Sequence, residues 1–108
     1  MFTNIRGKLI LRRVPAYFVA VRNAIKDPEE MAVYLKKARA AIAGHQFKVL
    51  ALYGKIRSCD GPATDGAIIK EFATFEAAEA WYDSPAYQQA VVHRFAGADY
   101  QTFIIQGV

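Results

Sequence analysis

The chain has 108 residues, with 14 Lys and Arg, 10 Asp and Glu, and a single cysteine. This length is typical of one domain with one hydrophobic core. One cysteine excludes an intramolecular disulfide and a multi-cysteine zinc site, and it fits a reducing compartment such as the cytoplasm. No run of 18 apolar residues occurs, so we expect no membrane span. The start of the chain also lacks the cleavage site of a secretory signal.

The net charge of +4 is concentrated at the start of the chain. Four Lys or Arg and no acid lie in residues 1–13, whereas ten basic and ten acidic residues follow. The body is therefore neutral, and we expect no nucleic-acid-binding face. We treat residues 1–13 as a basic N-terminal extension and residues 14–108 as a single domain. The LIL run of the extension could add an edge strand or pack on a partner, and a loose terminus or a start site placed too early is the simpler alternative.

The first predicted strand, AYFVAVRNAI, follows Pro15 and is apolar on both faces. One face carries Tyr17, Val19 and Val21, and the other carries Ala16, Phe18 and Ala20. Such a strand needs an apolar layer against each face of its sheet. The next segment, DPEEMAVYLKKARAAIAGH, predicts a helix, because Asp27 can cap it and Gly44 suits its end.

Two further strands, a divided helix and a last strand complete the pattern. FKVLALYGKIRS and AIIKEFA are rich in β-forming residues and are separated by the turn-forming CDGPATDG. Thr74 can cap a helix that begins at Phe75, and Pro85 breaks it by forcing Ser84 out of the helical region. Ser84 can cap the second half of that helix, Gly97 can end it, and YQTFIIQGV has the pattern of a strand.

The order β-α-β-β-α-β, with the second helix split, predicts an α+β, ferredoxin-like fold. This fold has one antiparallel sheet with both helices on one face. The strands are apolar on both faces, but the helices can cover only one of them. An apolar patch of that size is rarely exposed in a monomer. We therefore expect a homodimer in which two sheets meet through their open faces.

The segment EFATFEAAEAWYDSPAYQQAVVHR, residues 71–94, resembles the signature of a bacterial family, domain-of-unknown-function family 1330. The similar positions are Glu71, Phe72, Ala78, Trp81, Tyr82, Ser84, Pro85, Tyr87 and Arg94. The strand, Asp-Pro turn and Tyr-bearing helix of residues 16–38 and the final Gly107 are similar to the family as well. The resemblance covers about residues 15–108, and it implies a dimeric α/β barrel.

The chain also departs from that family's pattern. The family has a Gly-Gly pair after the first helix and then a strand that ends on a basic residue. Here Gly44, His45 and Gln46 stand at the first place, and Leu52 stands near the second. The resemblance implies membership of the dimeric α/β-barrel superfamily. That superfamily contains cofactor-free monooxygenases, haem-degrading enzymes, lactone isomerases and ligand-sensing domains, all with a cavity between sheet and helices. The fold alone does not choose among these activities.

Arg94 and Glu71 are candidate catalytic residues at the two ends of the resembling segment. Arg94 lies on the apolar side of its predicted helix, where it could clamp a carboxylate or phenolate. Glu71 ends a strand and could act as a general base if burial raised its pKa. The alternatives are an ion pair between the two, which would leave neither free for a ligand, or an Arg94 side chain that reaches solvent.

The candidate ligand-binding residues are aromatic, with plain core packing as the alternative: Tyr17, Tyr34, Trp81, Tyr82 and Tyr87. His45 is a third candidate catalytic residue, because it follows a helix C-terminus where the dipole favours its protonated form. Neither His45 nor His93 has a carboxylate or second histidine at ligand spacing, so we expect no metal site. We expect no cofactor either, since no glycine-rich phosphate loop occurs. Cys59 lies in a turn without a nearby histidine and is a poor candidate nucleophile.

These observations predict a cytoplasmic homodimer that binds a small aromatic or anionic molecule between sheet and helices. One hypothesis is a cofactor-free monooxygenase-like or isomerase-like enzyme, in which the protein supplies a dry pocket, a base and a hydrogen-bond donor. The alternative is a non-catalytic ligand-sensing or binding module. Contact of the basic extension with nucleic acid ranks last.

Overall fold

In the computed structural model the described residues are 2–5, 8–11 and 13–108, with side chains described from Arg13 onward. The strands are β1 (Phe2–Ile5), β2 (Lys8–Leu11), β3 (Ala16–Ile25), β4 (Lys48–Leu52), β5 (Gly66–Phe72) and β6 (Ala98–Gln106). The helices are α1 (Pro28–Ala40), α2 (Phe75–Tyr82) and α3 (Pro85–Gly97). Four strands form an antiparallel sheet in the order β4-β5-β3-β6. The predicted α+β, ferredoxin-like fold with a split second helix is confirmed.

The extension contains a hairpin of its own. β1 and β2 pair antiparallel, with Phe2 opposite Leu11, in a two-stranded sheet separate from the larger one. The LIL run therefore pairs within the extension and does not add an edge strand to the main sheet. The side chains of residues 1–12 lie outside the described part of the chain. The division into an extension and a domain, and any role of the basic charges, stay predictions.

The main sheet has one face covered by helices and one open face. In β3, Ala16, Phe18 and Ala20 are buried, whereas Tyr17, Val19 and Val21 are half-buried on the opposite side. This alternation follows from the two-residue period of a strand. The neighbouring strands continue both faces, since Phe18 stands opposite Ile104 and Val19 opposite Phe103. On the open face Phe103 is 44 % exposed and Ile105 is 53 % exposed.

Side-chain caps place the helices where the sequence predicts them. Asp27 Oδ1 accepts from the backbone N–H of Glu29 at 3.0 Å at the start of α1. Thr74 Oγ1 accepts from the N–H of Ala77 at 3.1 Å at the start of α2. Ser84 Oγ accepts from the N–H of Tyr87 and donates to the carbonyl of Trp81 at 2.7 Å. The second helix is therefore divided at one serine that serves both halves.

The second strand segment is shorter than the β-rich stretch suggests. β4 ends at Leu52, and the following Tyr53 has a φ of 50°, in the left-handed region that residues other than glycine rarely adopt. Residues 53–65 then form a long loop without helix or strand. The loop returns to the sheet at Thr64, whose hydroxyl donates to the carbonyl of Arg22.

The core lies between the sheet and the three helices, and Trp81 is at its centre. Its ring packs against those of Tyr87 at 4.3 Å, Phe18 at 5.0 Å and Phe72 at 5.5 Å. Large aromatic side chains of this kind dominate the energetics of small cores. Among the described residues, no helix has both the length and the apolar character needed to cross a membrane.

Candidate functional site

Arg94 is buried inside the molecule and bonds to a pair of tyrosines. It is 4 % exposed, and its Nη1 donates a hydrogen bond to the hydroxyl of Tyr87 at 3.0 Å. The Tyr87 hydroxyl lies 2.7 Å from that of Tyr34 in α1. Tyr87 and Arg94 share one face of α3 because they are two helical turns apart. Since α1 packs along α3, Tyr34 reaches the same place.

This part of the core has more hydrogen-bond donors than acceptors. Arg94 Nε and Trp81 Nε1 are both buried, with no acceptor among the residues that the structure describes. In the Tyr34–Tyr87 pair, one hydroxyl donates to the other, and the Tyr87 oxygen also accepts from Arg94. A buried donor without an acceptor costs roughly 1–3 kcal/mol. The arrangement is therefore suited to an acceptor that comes from outside the chain.

Among the residues that the structure describes, no carboxylate forms a salt bridge with Arg94. The salt bridges within residues 13–108 join other groups, and the ring centres of Tyr34 and Tyr100 lie 5.9 and 5.4 Å from its guanidinium carbon. Burial alone would lower the pKa of Arg94, but the nearby tyrosine oxygens, that of Tyr87 first, raise it overall, so the group stays charged. Burial raises the pKa of Tyr34 and of Tyr87, so both hydroxyls keep their protons at neutral pH.

A second cation, Lys70, approaches the same region from the sheet. It lies on the helix-facing side of β5, opposite Phe18 of β3. Its Nζ is 4.5 Å from the ring centre of Trp81 and 4.9 Å from that of Phe47. Burial, with a smaller contribution from the positive charge of Arg94, lowers the pKa of Lys70 to about 8. We call the following residues the donor cluster: Arg94, Lys70, Trp81, Tyr34 and Tyr87.

Glu71 lies on the other side of the sheet from Arg94. Because side chains alternate along a strand, it points away from Lys70 and stands beside Tyr17 of β3 and Lys48 of β4 on the open face. The structure therefore does not bring the two predicted catalytic residues together, and the alternative ion pair between them is not formed. A catalytic role for Glu71 stays a prediction that involves the open face.

A second network connects the long loop to the donor cluster. The hydroxyl of Tyr53 lies 2.6 Å from that of Tyr100, and the Tyr100 ring borders Arg94. On the outer side, Arg22 stacks on the Tyr53 ring at 4.6 Å, and its Nε donates to Asp65 Oδ1 at 2.6 Å. The unusual left-handed backbone of Tyr53 is thus held by contacts of its own side chain, a pattern common near functional sites.

Two open clefts lie beside the donor cluster. The first, of about 320 Å³, lies between α2 and β6 and has Phe18, Phe75, Tyr82 and Ile104 among its walls. Its inner wall touches the cluster, because Tyr82 packs on Tyr87 with ring centres 5.3 Å apart. The second, of about 310 Å³, is lined by Phe47, Lys48, Glu71 and Phe72. Both volumes lie within the range of small-molecule sites.

The remaining predicted site residues lie away from the donor cluster. His45 is half-buried in the turn after α1, and its imidazole takes part in none of the side-chain hydrogen bonds among residues 13–108. Tyr17 is on the open face. His93 Nδ1 lies 2.6 Å from Glu30 Oε2, a side-chain contact between α3 and α1 that the sequence spacing did not indicate. Cys59 is exposed. Within the described chain no three acidic, histidine or cysteine residues are placed to hold a metal ion.

Sequence reasoning missed Lys70. In AIIKEFA it belongs to the same alternating set as Ile68 and Phe72, which pack on the core side of the sheet. The neighbouring Glu71 was the predicted site residue, because it ends its strand and begins the segment that resembles the family. A charged residue in the inward set of a strand was the signal that could have identified the second cation.

Comparison with known proteins identifies the family of this chain. The model of the family described as domain of unknown function (DUF1330) matches residues 15–108. No curated protein matches the chain. Among solved structures, the RPA0582 protein of unknown function from Rhodopseudomonas palustris is 19 % identical with a TM-score of 0.63, covering 90 % of this chain and 85 % of that chain. Its methylated form gives 20 % identity and a TM-score of 0.67, covering 90 % and 83 % of the two chains.

Two other solved structures are similar in fold. A dimeric ferredoxin-like protein of unknown function from Thermobifida fusca is 12 % identical with a TM-score of 0.56, covering 91 % of this chain and 95 % of that chain. SnoaB, a cofactor-independent oxygenase from Streptomyces nogalater, is 10 % identical with a TM-score of 0.55, covering 87 % and 92 %. At these identities the likeness concerns the fold alone. The family match spans all of the chain except residues 1–14, and the chain belongs to the DUF1330 family.

Proposed function

We propose that the protein binds a small organic anion, a carboxylate or phenolate with an aromatic body, at the donor cluster. The observation that carries this proposal is the state of Arg94: a buried guanidinium with no carboxylate partner and with Nε free of any acceptor in the described chain. A buried charge without a partner is costly, and an anionic ligand supplies both the charge and the acceptor. The orphaned N–H of Trp81 and the Lys70 ammonium favour the same kind of ligand.

The first cleft is the proposed place for the ligand's apolar body. Its walls are mostly aromatic and aliphatic, and Tyr82 belongs both to the cleft and to the surroundings of Arg94. Small-molecule sites commonly combine an apolar pocket with a few convergent polar groups. In this proposal Tyr82 and Tyr87 flank the ring of the ligand, and its acidic oxygens point toward Arg94. Glu79, which is exposed, also lines this cleft.

Two activities are compatible with such a site. In a cofactor-free oxygenase-like or isomerase-like enzyme, the donors would stabilise the negative charge that develops on the substrate oxygen. The fold likeness to SnoaB supports the oxygenase form of this reading only as an analogy. In a sensor, the same donors would bind the anion without turnover. His45 and Glu71 stay candidate bases for the enzyme, although neither lies in the donor cluster.

We also propose that the protein is a homodimer through the open face of the sheet. That face exposes apolar side chains of β3, β5 and β6, and Phe103 and Ile105 are about half exposed in the single chain. Two-fold packing of identical faces covers such a surface with no further partner. The dimeric description of the Thermobifida fusca protein supports this arrangement.

Titration calorimetry with benzoate and its neutral analogue benzamide tests the anion site. We expect benzoate to bind at least about tenfold more tightly, because one charged hydrogen bond in a dry site contributes about 1.5–3 kcal/mol. Arg94→Gln should remove the preference, whereas Arg39→Gln, on the exposed side of α1, should keep it. Equal affinities for the two compounds, or a preference unaffected by Arg94→Gln, would contradict the proposal.

Oxygen uptake then distinguishes an enzyme from a sensor. A panel of hydroquinones and phenolic acids is added to the protein in air-saturated buffer. Uptake above the buffer background that Arg94→Gln abolishes supports the oxygenase form. Thermal stabilisation by the same compounds without uptake supports the sensor, because a ligand that binds only the native state raises apparent stability.

A further inference from the structure

Lys70 is half-buried on the helix side of the sheet. Its Nζ is not among the fully buried polar atoms that lack a partner. Three aromatic rings surround the ammonium, with centres 4.5 Å (Trp81), 4.9 Å (Phe47) and 5.9 Å (Phe18) away. Phe18 and Phe47 also line the two clefts, one each. Lys70 therefore lies beside one wall residue of each cleft.

The groups that face Lys70 in the described chain are aromatic rings and a second cation, and none of them accepts a hydrogen bond from its amine. From α2 and the turn before β4 it meets aromatic rings, from β3 another ring, and from α3 the positive charge of Arg94. No hydrogen bond or salt bridge to its Nζ occurs within residues 13–108. A lysine that is desolvated in an apolar pocket beside another cation is the arrangement that makes an amine nucleophilic near neutral pH. Burial and Arg94 act in that direction here, lowering the pKa of Lys70 to about 8.

We propose that Lys70 is the nucleophile of a carbonyl-binding site, in which Nζ condenses with the carbonyl carbon of a small oxo acid whose carboxylate is held by Arg94. The assignment of an oxo acid rests on the proposed function, because the proposed function makes Arg94 the anion site. The amine adds to the carbonyl carbon, and a proton passes from nitrogen to the oxygen. A second proton, taken up from solvent, lets the oxygen leave as water, and a protonated C=N bond (an iminium) to Lys70 remains. One water is released, and no oxidant or reductant is required.

The two cations serve different parts of such a ligand. An oxo acid carries an acceptor for a guanidinium and, next to it, an electrophilic carbon for an amine. The buried N–H of Trp81, which has no acceptor in the described chain, is available to the carbonyl oxygen or to the carboxylate. The iminium that forms is again a cation among aromatic rings, so the cation–π contacts that surround the ammonium also stabilise the product.

Reductive trapping tests the proposal directly. The full chain is incubated at pH 8 with pyruvate and sodium cyanoborohydride, which delivers hydride to the iminium carbon and leaves a stable secondary amine. Peptide mass mapping then locates the adduct. At pH 8 Lys70 has roughly a hundred times more neutral amine than an ordinary lysine, so we expect it to be modified at least about tenfold faster than any exposed lysine. Lys70→Arg should show no fast adduct, whereas Lys36→Arg, on the exposed side of α1, should behave as the wild type.

The same experiment with acetone tests the oxo-acid part. Acetone has the carbonyl but not the carboxylate, so we expect the ratio of pyruvate to acetone trapping rates to be about tenfold higher in the wild type than in Arg94→Gln. The ratio of the two rates cancels any change in the amine itself. If Arg94→Gln does not fold, competition by benzoate against pyruvate in the wild type gives the same information. A ratio that Arg94→Gln leaves unchanged overturns the oxo-acid assignment.

The outcomes separate this proposal from the proposed function. Benzoate binding without a preferred adduct at Lys70 overturns the nucleophile and leaves the anion site. A preferred adduct at Lys70 in a protein that does not bind benzoate supports the nucleophile and contradicts the anion site. Modification spread evenly over the exposed lysines overturns the proposal as a whole.

Discussion

Lys70 and Glu71 are neighbours in β5 and lie on opposite faces of the sheet. Lys70 points into the donor cluster beneath the helices, and Glu71 points to the open face beside Tyr17. A strand thus separates a base and an acid that are adjacent in sequence. The helix side of the sheet holds two cations, neither of which pairs with a carboxylate within residues 13–108, while Glu71 lies on the face that would pack in the proposed homodimer.

Replacing Lys70 with methionine should stabilise the protein at pH 7. The pKa of Lys70 is about 8 in the folded chain and about 10.4 in an unfolded one. Below pH 8 the folded state therefore carries the full penalty of a buried ammonium. Methionine fills similar space without charge. Allowing for the lost cation–π contacts, we expect Lys70→Met to raise the free energy of unfolding at pH 7 by about 1–2 kcal/mol.

This advantage should shrink as the pH rises from 8 to about 10.4. In that window the unfolded wild-type chain binds the proton that the folded chain has released, so wild-type stability gains relative to Lys70→Met. Urea unfolding at several pH values measures the difference, with Lys36→Met as a control that should show no such trend. A difference that grows with pH would contradict the assignment of a buried ammonium at position 70.

Tyr87 should be more important for stability than Tyr34, although the two share one hydrogen bond. Tyr34→Phe removes only the contact with the Tyr87 hydroxyl, at a cost of about 1 kcal/mol. Tyr87→Phe removes that contact and also the acceptor of Arg94 Nη1. Because a buried charged donor then lacks a partner, we expect a cost of about 2–3 kcal/mol. Equal losses in urea unfolding would mean that Arg94 finds another acceptor.

Gly66→Ala should disturb the network of Tyr53. A Cβ at this position would lie 2.6 Å from Tyr53 Cδ1 and 3.1 Å from Arg22 Nη2. The aromatic ring has to move, so we expect a loss of about 1–3 kcal/mol in the free energy of unfolding. Gly54→Ala is the matched control, because nothing lies within 4 Å of its Cβ. A neutral Gly66→Ala would show that the Tyr53 ring has room to shift.

Val19→Glu should convert the proposed homodimer into a monomer. Val19 is at the middle of β3 on the open face, where a charge would be buried without a partner in the dimer. Val33→Glu is the control, since Val33 is exposed on α1, on the helix side of the molecule. Analytical ultracentrifugation at micromolar concentration should give a dimer for the wild type and Val33→Glu. A wild-type monomer under these conditions would contradict the dimer.

Local signals in the sequence were sufficient for the fold but not for the site. Asp27, Thr74 and Ser84 cap the helices that they predict, because caps depend on residues only a few positions apart. The donor cluster depends on packing between distant segments, and the Tyr34–Tyr87 bond joins residues 53 positions apart. The helix face that Arg94 shares with Tyr87 was predictable from the helical period. The contact with Tyr34 required the approach of α1, and the position of Glu71 away from Arg94 required the sheet register.

The position of Trp81 has an optical consequence. It is the only tryptophan of the chain, and its indole ring has the Lys70 ammonium 4.5 Å from its centre. The emission of indole shifts with the electric field of nearby charges, because its dipole grows on excitation. Loss of the Lys70 proton, or arrival of an anion beside it, changes that field at a single fluorophore. The unlabelled protein therefore contains its own spectroscopic sensor of the state of this site.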